Sequence, residues 1–177
     1  MLIVGLGGIG TEIAWRANAL GMRVIATRNS SRDKPEFVDY VGLADELFTL
    51  AGQADVIVNA TPLTSSTKGL FDSKFFDVLK PAAYFINIGR GKSVVTEDLV
   101  VALNAGKLAG VALDVVEPEP LPQDHVLWHM PNVIITPHIS ARSDLLMKRF
   151  WIFVRENLRR YVNGERMLNV VNIQKGY

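Results

Sequence analysis

The opening residues constrain this chain more than any others. Leu2-Ile3-Val4 runs into Gly5-Leu6-Gly7-Gly8-Ile9-Gly10, a G-x-G-x-x-G pattern between a short apolar run and a segment of helical character. The apolar run reads as a buried strand, Ile9 through Leu20 as a helix with Gly21 as its C-cap, and Arg23 through Thr27 as the next strand. In that setting Gly5 supplies a tight turn, Gly7 lets the backbone approach a pyrophosphate, and Gly10 lets the helix pack close to the strand, with the helix N-terminus toward the phosphates. Gly5, Gly7, Gly8, Ile9 and Gly10 are therefore the candidate dinucleotide-binding residues. The competing reading is a glycine turn that serves packing alone.

Downstream, strand-like and helix-like segments alternate. Arg28 to Pro35 is polar and reads as a loop, Leu43–Leu50 as helix, Asp55–Ala60 as strand, Asp72–Leu79 as helix and Ala83–Ile88 as strand. Thr96–Ala105 follows as a helix with Thr96 as N-cap and Gly106 as its stop. Leu108–Asp114 and Asn132–Thr136 read as the last strands. The alternation predicts an α/β fold: a Rossmann-type doubly wound, mostly parallel sheet with helices on both faces. Glu117-Pro118-Glu119-Pro120-Leu121-Pro122 cannot be a regular helix or a central strand, because its prolines fix φ and remove donors. It reads as a rigid loop beyond a strand's C-terminal end, where open α/β sheets place ligands. From about Ser143 to Asn163, Leu146, Phe150, Val154, Leu158 and Tyr161 recur at helical spacing, and Leu145, Trp151 and Phe153 widen the stripe. A helix apolar over more than one face calls for burial on two sides, in the core or against another domain or subunit. Arg155, Arg159 and Arg160 suit its C-terminal end electrostatically.

Bulk composition narrows the partners. The chain has 177 residues, 49% of them hydrophobic, with a formal charge of +1, which gives no footprint for nucleic acid or an anionic membrane. It contains no cysteine, so disulfides and thiolate metal sites are excluded, and no metal site is expected. No run approaches a membrane span, nor does the N-terminus resemble a signal peptide; a cytoplasmic location is the expectation.

Three titratable residues fall in loops after strands: Arg90 in Asn87-Ile88-Gly89-Arg90-Gly91, Glu119 in the proline-rich loop, and His138 in Thr136-Pro137-His138. Taken in order with the glycine motif, with Ala112-Leu113-Asp114-Val115, with Glu119-Pro120-Leu121-Pro122 and with Asn132-Val133-Ile134-Ile135-Thr136-Pro137-His138, the chain resembles the D-isomer-specific 2-hydroxyacid dehydrogenases along essentially its whole length. The resemblance implies hydride transfer between a nicotinamide cofactor and a small 2-keto or 2-hydroxy acid, as in glyoxylate or hydroxypyruvate reduction. It implies Arg90, Glu119 and His138 as the catalytic trio. A guanidinium can grip a carboxylate with two parallel donors, and an imidazole titrating near pH ~6.5 can protonate the developing alkoxide. A carboxylate beside it would favour its charged form. Glu117 is the neighbouring competitor for Glu119. His125 and His129 match no catalytic position and read as structural. The resemblance further places Thr61, Pro62, Thr67, Ile88, Gly89 and Asp114 along the cofactor cleft.

The fingerprint calls for an acidic residue about 20 positions on, at the end of the second strand, to bind the ribose 2′-hydroxyl. That place holds Arg28, followed by Asn29 and Ser30. An arginine with amide and hydroxyl neighbours attracts a 2′-phosphate, so NADP(H) is expected over NAD(H). The resemblance also implies a substrate domain whose N-terminal segment is missing here. Residues 1–140 are then the NAD(P)-binding domain and 141–177 a helix and tail of the substrate domain. The expectations are a homodimer and an isolated chain that binds cofactor with little or no turnover. A cofactor-sensing, corepressor-like binding module is the non-enzymatic alternative, and an adenosylhomocysteinase-type domain fits the motifs less well.

Overall fold

The computed structural model describes residues 1–29 and 31–173. Met1–Pro137 form one compact unit and the residues from His138 onward a second. In the first, β1 (Leu2–Val4), β2 (Ile25–Thr27), β3 (Tyr40–Gly42), β4 (Val56–Asn59), β5 (Ala83–Asn87), β6 (Leu108–Leu113) and β7 (Val133–Ile135) make one sheet. Their spatial order is β3-β2-β1-β4-β5-β6-β7, and every neighbouring pair is parallel. β1 lies beside both β2 and β4, with Leu2 opposite Ile25 on one side and Ile57 on the other. The order of the chain across the sheet reverses there, opening a crevice at the strands' C-terminal ends.

Alternation along β1 shows why helices cover both faces. Leu2 and Val4 join one core cluster, and Ile3 joins the other. Ile3 packs with Ala14 and Ala17 of α1 (Gly8–Ala19), beside Val24, Ala26 and Val58. The Leu2 face meets α2 (Leu47–Ala51), α3 (Ser73–Asp77) and α4 (Thr96–Asn104) through Leu50, Phe75 and Leu99. Phe85 of β5 centres an aromatic group there, fully buried, its ring centroid 5.1 Å from Phe71 and 5.7 Å from Phe76.

Several local expectations change. β3 occupies a stretch without a clear strand pattern, because only Val41 and Gly42 of its three residues are buried. The helix expected at Leu43–Leu50 begins as a 3-10 turn at Ala44–Glu46 and becomes α-helical only as α2. α3 is shorter than expected, but Asp72 caps it, accepting from the Phe75 N–H at 3.0 Å. Thr96 is not the cap of α4: Val95 holds that place, and the Thr96 hydroxyl instead donates to the Glu117 carbonyl at 2.8 Å. That bond fixes the entry to the proline-rich loop. His125 is structural as expected, its Nδ1 accepting from the Leu127 N–H at 3.2 Å.

In the second unit, α5 (Leu146–Val162) is the helix read from the sequence. None of its residues is buried; Phe150 and Trp151 are both half exposed, and Tyr161 is more so. Arg159 bridges Glu156 at 2.9 Å and Glu165 at 2.7 Å, and Arg160 also bonds Glu156 at 2.7 Å.

Candidate functional site: a dinucleotide cleft at the sheet's C-terminal edge

Gly5 follows β1 with φ +96°, a left-handed conformation that glycine adopts at no steric cost. The Leu6 N–H returns to the Thr27 carbonyl at 3.0 Å, folding the turn over the sheet edge. A Cβ on Gly10 would lie 2.2 Å from the Gly5 carbonyl oxygen, so only glycine lets α1 start this close to β1. Gly7 and Gly8 face the opposite situation, since a Cβ on either would meet nothing within 4 Å. α1 has no side-chain cap and no acidic residue in its first turn. Its leading N–H groups and the positive end of its dipole therefore face an open approach, a fit for the pyrophosphate of a dinucleotide.

Arg28 stands immediately after β2, half-buried against the same turn. Its Nε donates to the Leu6 carbonyl at 2.9 Å and one Nη to the Asp33 carbonyl at 3.0 Å. Both partners are backbone carbonyls, so neither neutralises the guanidinium. Arg32 is committed elsewhere: it pairs with Glu46 at 2.6 Å and donates to the Tyr40 hydroxyl at 2.8 Å. The Glu46 carboxyl is held down to about 2, first by the Tyr40 hydroxyl, then by the Leu43 N–H and Arg32. Asn29 is exposed beside Arg28, and Ser30 lies outside the described residues.

Beyond β4 and β5 a buried polar group ties two turns together. The side chains of Asn59, Asn87 and Ser93 are shut off from solvent. Asn59 Oδ1 accepts from the Thr61 N–H at 3.0 Å and the Thr61 hydroxyl at 2.7 Å. Its Nδ2 donates to Asn87 Oδ1 and to Ser93 Oγ, both at 2.8 Å. Thr67 is buried, its hydroxyl donating to the Pro62 carbonyl at 2.6 Å, which makes it a brace within the turn. Pro62 is exposed, Ile88 half-buried and Gly89 buried. The exposed Arg90 turns one Nη back to the Gly89 carbonyl at 2.7 Å. A Cβ on Gly91 would fall 1.8 Å from the Val116 carbonyl oxygen, which shows how tightly the arginine turn packs on the loop leading to Glu119. Asp114, at the end of β6, is buried and accepts from the Thr136 hydroxyl at 2.6 Å.

The glycines, Arg28, Thr61, Pro62, Ile88, Gly89, Arg90, Asp114 and Glu119 all follow C-terminal ends of strands in one parallel sheet, hence one edge. Glu119 is exposed in the proline-rich loop, whose two ends are pinned by buried Val115 and Leu121. His138, also exposed, is the first residue of the second unit, with a left-handed φ of 53°. Asn59, Asn87 and Ser93 escaped the sequence reading; the available signal was an asparagine ending each of two apolar strands. Among the described residues no group of His, Asp and Glu is placed to hold a metal, and no helix is long and apolar enough to cross a membrane.

A fully parallel sheet with an uncapped helix over a glycine turn at its switch point defines a dinucleotide-binding domain of the Rossmann class. The family model described as D-isomer specific 2-hydroxyacid dehydrogenase, NAD binding domain, matches residues 1–140. The chain belongs to that family. Glyoxylate/hydroxypyruvate reductase A of Photorhabdus laumondii is 34% identical over 177 residues, covering 99% of this chain and 55% of that protein. A D-isomer specific 2-hydroxyacid dehydrogenase from Xanthobacter autotrophicus Py2, solved with NADPH and MES, superposes with a TM-score of 0.94 at 32% identity, over 100% of this chain and 72% of that one. An NADPH-dependent glyoxylate/hydroxypyruvate reductase from Sinorhizobium meliloti, solved with NADP and sulfate, gives 0.92 at 36% identity, over 99% and 56%. The chain thus spans 55–57% of the length of the first curated relatives it matches.

Proposed function

We propose that this chain is the cofactor-binding portion of an NADPH-dependent reductase of small 2-keto acids such as glyoxylate or hydroxypyruvate. The observation that carries the cofactor choice is Arg28. Its guanidinium sits against the glycine turn, at the strand end where an acidic residue would select the free ribose hydroxyl. Planar and permanently charged, it suits a 2′-phosphate. Relatives solved with NADPH or NADP support the same reading.

A nicotinamide bound here supplies a hydride to the keto carbon. The chain's own residues supply the rest. Arg90 holds the substrate carboxylate, His138 gives the proton to the oxygen that receives charge, and Glu119 is the carboxylate that the family motif assigns to that histidine. Family motifs carry these three roles. Arg90, Glu119 and His138 are each exposed to water, so this chain alone is expected to bind cofactor and turn over little.

Titrating NADPH and NADH into the protein tests the reading. NADPH is expected to bind more tightly, and Arg28→Ala to weaken it by roughly 10- to 100-fold while affecting NADH less, as the loss of charge-assisted hydrogen bonds requires. Equal affinities, or tighter NADH, overturn the NADP assignment. Glyoxylate reduction at ordinary enzymatic rates by this chain alone overturns the claim of low turnover.

A further inference from the structure

Asn59 stands between two turns that serve different parts of the site. Its hydrogen bonds run in one direction. Thr61 donates to Asn59 Oδ1, Asn59 Nδ2 donates to Asn87 Oδ1, and Asn87 Nδ2 donates to the Arg90 carbonyl at 3.2 Å. Two backbone groups set the polarity of this relay. The Thr61 N–H can only donate, so the atom facing it must be an amide oxygen. The Gly89 N–H, 3.1 Å from Asn87 Oδ1, imposes the same on the second asparagine. Ser93 closes a parallel branch, accepting from Asn59 and donating to the Arg90 carbonyl at 2.6 Å. With both acceptor and both donor positions used, Asn59 has no alternative partner to turn to. A buried amide satisfied on every side holds its neighbours to one geometry.

We propose that Asn59, Asn87 and Ser93 are positioning residues that lock the cofactor-facing Thr61–Pro62 turn to the Gly89–Arg90 turn, so that cofactor and substrate-binding arginine are held at a fixed spacing. This rests on the roles given above to Thr61 and Arg90. The relay ends at the Arg90 backbone rather than at its side chain. The guanidinium, which turns back to the Gly89 carbonyl at 2.7 Å, can exchange that bond for a carboxylate while its anchor does not move.

Asn59→Asp separates the two sides of the relay. The aspartate still accepts from Thr61 but presents an oxygen to Asn87 Oδ1. Asn87 cannot turn its amide to compensate, because that would aim its own oxygen at the Arg90 carbonyl. Ser93→Ala is the gentler variant, removing the parallel branch only. Phe76→Leu in the aromatic core serves as a destabilised control remote from the relay. NADPH affinity is measured by fluorescence titration and amide hydrogen exchange is followed residue by residue. In the unaltered chain, NADPH is expected to slow exchange at both Thr61 and Gly89. In Asn59→Asp protection should persist at Thr61 and vanish at Gly89, with NADPH bound about fivefold more weakly; Ser93→Ala should show the same pattern to a smaller degree. Protection at Gly89 that survives in both variants, or affinities no lower than that of the Phe76→Leu control, overturn the proposal. Failure of the unaltered chain to bind NADPH overturns instead the cofactor reading on which it rests.

Discussion

Replacing Gly10 by alanine sets two opposing effects against each other, and their magnitudes decide the outcome. In a helix interior the substitution is ordinarily stabilising by about 1 kcal/mol, because alanine loses less backbone entropy and has the better helix propensity. Here the added methyl would lie 2.2 Å from the Gly5 carbonyl oxygen, where ordinary van der Waals contact begins at 3.4 Å. The helix must retreat by about 1 Å, and the atom in the way is backbone in a turn tied to Thr27, not a flexible side chain. Overpacking of that kind costs about 1–3 kcal/mol, and loosening Ala14 and Ala17 from the sheet adds to it. The net expectation is a destabilisation of about 1–2 kcal/mol, read as a fall in Tm of roughly 2–8 °C for a chain of this size. Gly8→Ala, two residues earlier in the same turn, is the internal comparison. A methyl there meets nothing within 4 Å, so the melting temperature should hold or rise slightly. Thermal unfolding followed by circular dichroism, without cofactor, measures both. If Gly10→Ala melts at or above the parent, or if Gly8→Ala falls as far, the division of labour between packing and approach glycines is wrong.

The aromatic core and the second unit each offer a further test. Phe85→Ala removes a fully buried ring packed tilted against Phe71 and edge-on to Phe76, and should cost about 3–5 kcal/mol in urea unfolding; a loss below about 2 kcal/mol would mean that the cavity collapses and the core is not tightly packed. Glu156 is held at about 2 by Arg159 first and Arg160 second, below its ordinary 4.5. A lowered carboxyl pKa means that its stabilising contribution is complete above 4.5 and is lost as the pH falls toward 2. The α5 pairing should therefore weaken only in that acid window, and Glu156→Gln should remove the acid-dependent component from a helicity titration. A carboxyl carbon resonance titrating for Glu156 at the ordinary value contradicts the arrangement.

What the sequence disclosed and what it hid differ in a physical way. The glycine turn, the strands β1, β4, β5 and β6 and the helices α1 and α4 were legible because apolar period and breaker residues are local signals, and the parallel sheet followed from their alternation. β3 was not legible, since a three-residue edge strand with an exposed Tyr40 has too little apolar periodicity to register. Thr96 misled for a related reason. Cap preference is a local statistic, while its actual hydrogen bond goes to Glu117, 21 residues away. The asparagine relay was hidden most completely. Asn59 is separated from Asn87 by 28 residues and from Ser93 by 34, and the one local signal, an asparagine ending an apolar strand, does not name its partner. What brings them together is strand order. β4 and β5 are adjacent and in register, with Asn59 opposite Asn87, so two side chains at matching strand ends meet at the edge where the chemistry lies. The same register that makes the sheet thus sets the distance between the Thr61–Pro62 turn and the Gly89–Arg90 turn. A fold-level property thereby becomes a site-level one, which is why altering Asn59 should uncouple the Gly89–Arg90 turn from the Thr61–Pro62 turn, whereas altering a distant core residue should not.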